Sequence, residues 1–82
     1  MIIIRYDPFS MTSIAYVCKE GHTEIRGISS NMASIAGDIA AIANESQIYS
    51  IKIDASRSIV EEIKEQLTTV NYGKEKFEVE GI

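Results

Sequence analysis

The sequence predicts a small two-layer α/β domain with its elements in the order β-β-β-α-β-α-β. Three observations carry this expectation. In residues 47–54 Tyr49, Ile51 and Ile53 alternate with Ser50, Lys52 and Asp54, and residues 76–80 alternate likewise, the period of a half-buried strand. Residues 32–43 and 59–70 place apolar side chains at helical spacing. The chain has only 82 residues, and one so short buries roughly 60–65% of its unfolded surface, too little to divide between two cores. Residues 1–82 are therefore expected to form a single compact domain. Alternation in the last two strands means that helices cover one face there, which leaves the other sheet face partly open.

The opening run Met1-Ile2-Ile3-Ile4-Arg5-Tyr6-Asp7 reads as a strand that stops at Pro8, where the ring fixes φ and removes a backbone donor. Pro8-Phe9-Ser10-Met11 is the turn. A second strand follows from Thr12, apolar on both faces: Ile14, Tyr16 and Cys18 on one, Ala15 and Val17 on the other. Lys19-Glu20-Gly21-His22 is a tight hairpin in which Gly21 supplies positive φ, and residues 23–28 return as the third strand. Ser29, Ser30 or Asn31 caps the first helix, which ends near Asn44. Gly37 costs that helix roughly 1 kcal/mol of helicity, with close packing as the expected compensation. Residues 47–54 form the fourth strand, with Tyr49, Ile51 and Ile53 on one face. Ser58-Ile59-Val60-Glu61 has capping-box spacing for a second helix, which Asn71-Tyr72-Gly73 closes. Phe77 and Val79 face inward on a last strand, added at a sheet edge.

Charge and composition narrow the function. A net charge of −4 without clustered Lys or Arg offers no footprint for phosphate backbones, which argues against nucleic acid as a partner. No apolar stretch has membrane length, and the first run meets Arg5 too early for a signal segment, so a cytoplasmic protein is expected. The single cysteine, Cys18, fits a reducing compartment, and with one histidine, His22, a Cys/His zinc site lacks ligands. His22 reads as a turn residue and Cys18 as a small core hydrophobe. No glycine-rich run precedes a helix with the Lys-Ser or Lys-Thr of a phosphate loop.

Asp7 and Asp54 are the residues with chemical promise. Each ends an apolar run, so pairing of those two strands would set two carboxylates side by side at a strand terminus. The plainer readings are an aspartate that accepts backbone hydrogen bonds in a turn for Asp7, and a carboxylate favoured by a helix N-terminus for Asp54. Asp38 lies at the border of its helix's apolar stripe and reads as a solvated flank residue.

Asp7-Pro8-Phe9-Ser10-Met11-Thr12-Ser13 resembles the Asp-Pro-Ser-x-Thr turn after the first strand of Holliday-junction resolvases. Together with the element order, which spans the whole chain, this resembles the ribonuclease H-like superfamily. The resemblance implies a catalytic acid in the first strand and a second at the end of the fourth, the places of Asp7 and Asp54, with Asp38 in the position of a third. It implies Mg²⁺ or Mn²⁺ held by convergent carboxylates for in-line attack of water. The chain departs from the pattern at Phe9, an extra turn residue, and at Ile14 and Ala15, where the family tends to carry glycine. It also lacks the last helix that brings a fourth acid or a histidine.

The function these observations predict is a small, non-catalytic protein-binding or self-assembly module without a cofactor. It meets a protein partner or forms a homodimer through its open face or last strand, with Phe77, Val79, Ile82, Ser50 and Lys52 as interface candidates. Compact accessory proteins of phages and mobile elements share its size and composition. The competing expectation is a metal-dependent nuclease or resolvase acting through Asp7, Asp54 and Asp38.

Overall fold

In a computed structural model, which describes residues 1–70 and 77–82, the elements follow the predicted order. They are β1 (Ile2–Asp7), β2 (Thr12–Lys19), β3 (His22–Ile28), α1 (Met32–Ser46), β4 (Ser50–Asp54), α2 (Arg57–Val70) and β5 (Glu78–Gly81). The five strands form one mixed sheet in the order β3-β2-β1-β4-β5. β1 to β3 make an antiparallel meander, and β4 and β5 add in parallel on the other side of β1. The parallel additions follow from connectivity: each arrives after a crossover helix, which returns the chain to its starting end. The fold is thus a two-layer α+β domain.

One face of the sheet carries Ile2, Ile4, Ala15, Val17, Ile51 and Ile53, all buried beneath the two helices. Ile35, Ile39, Ile63 and Leu67 complete the core from the helix side. Each such aliphatic side chain contributes about 1.5–3 kcal/mol by leaving water. The small residues Ala36, Ala40 and Ala43 are buried as well, so α1 lies close to its neighbours. Gly37 takes no part in that approach. It is exposed, and a Cβ built there would meet nothing within 4 Å, so no packing offsets its conformational cost.

Asn31 caps α1, its side chain accepting the Ala33 N–H at 3.0 Å. The Glu20-Gly21 turn has φ of 50° and 79°, the two left-handed residues that a two-residue hairpin demands. α1 runs past Asn44 to Ser46, and Gln47 takes the left-handed conformation that ends it. The Gln47 and Ile48 amides then donate to Asn44 and Ala43, so those residues belong to the helix end and β4 starts only at Ser50. α2 begins at Arg57, one residue before the predicted capping Ser58. The Ser56 carbonyl accepts the Val60 N–H at 3.0 Å, and Ser58 lies within the first turn. The expected cap at Asn71-Tyr72-Gly73, and the predicted strand position Lys76, lie outside the described residues.

The second apolar face of β2 departs from the prediction of a covered strand. Ile14, Tyr16 and Cys18 point away from the helices, and none of the three is buried. Cys18 is therefore a half-buried surface thiol, with the Thr23 hydroxyl 3.9 Å from its sulfur.

Candidate functional site

Parallel pairing of β1 and β4 sets Arg5 directly opposite Asp54. Because side chains alternate, Arg5 and Asp7 share a face with Lys52 and Asp54, the face away from the helices. The carboxyl ends of both strands then border a shallow concavity of about 440 Å³, open to solvent, between the first turn and the start of α2.

Asp7 organises the turn that follows it. Its Oδ1 accepts the Phe9 N–H at 2.9 Å and its Oδ2 accepts the Ser10 hydroxyl at 2.7 Å. The Ser10 hydroxyl lies 2.8 Å from that of Thr12, which extends the chain of hydrogen bonds to the start of β2. The Ser10 hydroxyl, and after it the Phe9 amide, favour the charged carboxylate and hold the Asp7 pKa below its ordinary value. Asp54 is engaged differently: its Oδ2 lies 3.2 Å from Arg5 Nε. The Arg5 guanidinium also stands over the Tyr16 ring, 5.8 Å from its centroid, within the range of a cation–π contact.

The sequence-predicted acids therefore separate into a pair and an outlier. Asp7 and Asp54 share one face and one end of the sheet. Asp38 accepts the Ser29 N–H at 2.7 Å and fastens the link between β3 and α1. Among the described residues no three His, Cys, Asp or Glu side chains converge in a way that could hold a metal ion. A cation at the strand ends would have to take Asp54 from Arg5 and Asp7 from its turn.

The interface candidates are likewise divided. Phe77 and Val79 pack against the core, Phe77 with its ring centroid 5.8 Å from that of Tyr49. Ile82 is exposed, and Ser50 and Lys52 lie half-buried on the uncovered face beside β5. Sequence reasoning missed Arg5 and Tyr16, since only the register of β1 with its two neighbours reveals that one side chain spans both.

The uncovered face is apolar toward its other side. Ile14 and Ile25 are 38% and 66% exposed; Ile25 lies opposite Tyr16 across the β2–β3 pairing, and Ile14 lies two residues from Tyr16 along β2. Among the described residues no helix is long and apolar enough to cross a membrane. No family model matches the chain, and no curated protein or solved structure matches it either.

Proposed function

We propose that this protein is a non-catalytic protein-binding or self-assembly module that works through the uncovered face of its sheet. One observation carries the reading: Ile14, Tyr16 and Ile25 form an apolar surface on the face opposite the helices, with Ile25 two-thirds exposed. An apolar patch bordered by charged side chains such as Arg5 and Lys52 is the usual make-up of a contact surface. The state of the acids supports the same reading, since Asp54 is paired with Arg5 and Asp7 with its own turn. The single cysteine supports a reducing, cytoplasmic setting. The size and acidity are in keeping with an accessory protein of a phage or mobile element.

A second reading rests on a different observation. Asp7 and Asp54 end the first and fourth strands on one face, as the resemblance to ribonuclease H-like nucleases leads one to expect, and the concavity lies beside them. On that reading Mg²⁺ or Mn²⁺ draws the two carboxylates together and the protein cleaves branched nucleic acid.

One NMR experiment separates the two. The labelled protein is diluted stepwise and then titrated with Mn²⁺, beside a cleavage assay on branched DNA in Mg²⁺. The module reading expects concentration-dependent shifts at Ile14, Tyr16 or Ile25, no selective broadening at Asp7 and Asp54, and no cleavage. Cleavage by the protein that disappears in Asp7→Asn would overturn it in favour of the nuclease.

A further inference from the structure

We propose that two copies of this chain pair through the outer edge of β3, antiparallel and centred on Ile25, to form a continuous sheet. This deepens the self-assembly arm of the module reading and rests on it, but it uses the backbone edge of β3 and shares only Ile25 with the apolar face.

The direction of the hydrogen bonds in β2 fixes what the outer edge of β3 presents. The Cys18 amide donates to Met1 O at 2.8 Å, and the Met1 amino group donates to Cys18 O at 3.0 Å. Both backbone groups of Cys18 thus face β1. Its partner across β2–β3, Thr23, is therefore in a non-hydrogen-bonded pair, and its own N–H and C=O point away from β2. By alternation the same holds for Ile25 and Gly27. β3 is the terminal strand of the sheet, seven residues long, and five of the seven are exposed. It presents three outward donors and three outward acceptors to any chain that lies beside it.

Charge identifies that chain. If β3 meets its own copy about a twofold axis at Ile25, Glu24 of each copy falls opposite Arg26 of the other. These are non-hydrogen-bonded positions, where opposed side chains approach most closely. Thr23 falls opposite Gly27, and the two Ile25 backbones bond each other. About six interchain hydrogen bonds and two reciprocal ion pairs result. Arg26 is already held in place, its Nη1 and Nη2 forked onto Glu45 at 3.0 Å and its Nε on Glu24 at 3.1 Å; these contacts use three of its five N–H groups, and two are left for Glu24 of the facing copy.

The other sheet edge rejects the same arrangement. β5 is Glu78-Val79-Glu80-Gly81, and antiparallel self-pairing about Val79 would set Glu78 against Glu80 in both places. Charged edges normally prevent strand addition. β3 differs because its two charges have opposite sign and are symmetric about one residue, so a second copy meets both of them with the complementary charge.

The pairing covers one edge, below the area of a standard interface, so a Kd of about 10 μM to 1 mM is expected. The test is sedimentation of the wild type, Glu24→Arg, Arg26→Glu and an equimolar mixture of the two variants. The wild type should reach twice its 9.1 kDa mass as concentration rises. Each variant alone opposes like charges twice and should associate roughly tenfold more weakly. The mixture restores both pairs and should associate as the wild type does, which also shows that both variants are folded. A monomeric wild type, variants that dimerise as tightly as the wild type, or a mixture that associates no more tightly than the variants alone would each overturn the β3 pairing. A dimer undone by Ile14→Asp and indifferent to the charge changes would overturn it too, while leaving self-assembly through the apolar face standing.

Discussion

Arg5 and Asp54 are direct register partners on neighbouring parallel strands, and their side chains close the gap between those strands at 3.2 Å. Both are substantially exposed, so water and salt screen the attraction. Arg5→Ala is expected to cost less than about 1 kcal/mol in urea unfolding. The larger effect should be on cation binding. With the guanidinium removed, Mn²⁺ should selectively broaden the Asp54 amide in Arg5→Ala and leave the wild type untouched. Equal broadening in both proteins would mean that Arg5 does not guard the carboxylate.

Asp7 should contribute to the acid limb of stability. Its folded pKa lies below the ordinary value because Ser10 and Phe9 donate to its carboxylate. A lowered folded pKa means that the unfolded chain binds the proton more tightly. The contribution is therefore complete above the unfolded value and is lost as pH falls through the folded one. Replacement of Asp7 by Asn keeps an oxygen acceptor for the turn but removes the titration. Stability measured against pH should fall less steeply below about pH 4 in Asp7→Asn than in the wild type. Parallel curves would show that the turn does not discriminate between the two protonation states.

Gly37 sits exposed in the second turn of α1 with open space where a Cβ would go. Gly37→Ala should raise stability by about 0.5–1 kcal/mol, because alanine restores helix propensity and restricts the unfolded chain. Gln47 presents the reverse case, a non-glycine residue with φ of 56° at the helix end. Gln47→Gly should also stabilise, by up to about 1 kcal/mol, since glycine adopts that conformation without a Cβ clash. Thermal unfolding of the two single variants and the double variant checks both values, and the distant sites should add.

Ser13 is buried among apolar neighbours, and its hydroxyl has no hydrogen-bond partner among the described residues. An unpaired buried hydroxyl carries its desolvation cost without return. Ser13→Ala should therefore be neutral or stabilising by about 1 kcal/mol. A loss of more than that amount would reveal a partner for the hydroxyl in solution.

The fold was legible because its local rules agree. Triple isoleucine before Pro8, the Glu20-Gly21 turn, the Asn31 cap and the stripe of Ile35, Ile39 and Ile42 each point to one element, and the element order follows from them. Boundaries were less legible where local geometry absorbed extra residues. Gln47 in a left-handed cap shortened β4 at its start, although nothing in its side chain announces that conformation. The site was legible only as a pair of strand-end acids, Asp7 and Asp54. Their chemistry depends on Arg5, and the partnership of Arg5 with Asp54 exists only once β1 and β4 lie in register, 49 residues apart in sequence. Likewise, β2 reads as apolar on both sides, but no local pattern says which of its faces the helices will reach.

The position of β1 has a consequence for synthesis. The strand made first ends at the middle of the sheet, with β2 on one side and β4 on the other. On the ribosome β2 and β3 can zip onto it at once, whereas its second edge must wait for α1 and β4 to emerge. During that interval the nascent meander carries, on Ile2, Ile3 and Ile4, an apolar strand with one unpaired edge. The rate at which the ribosome delivers residues 29–54, which carry α1 and β4, should therefore bear on how much of this protein reaches its native state.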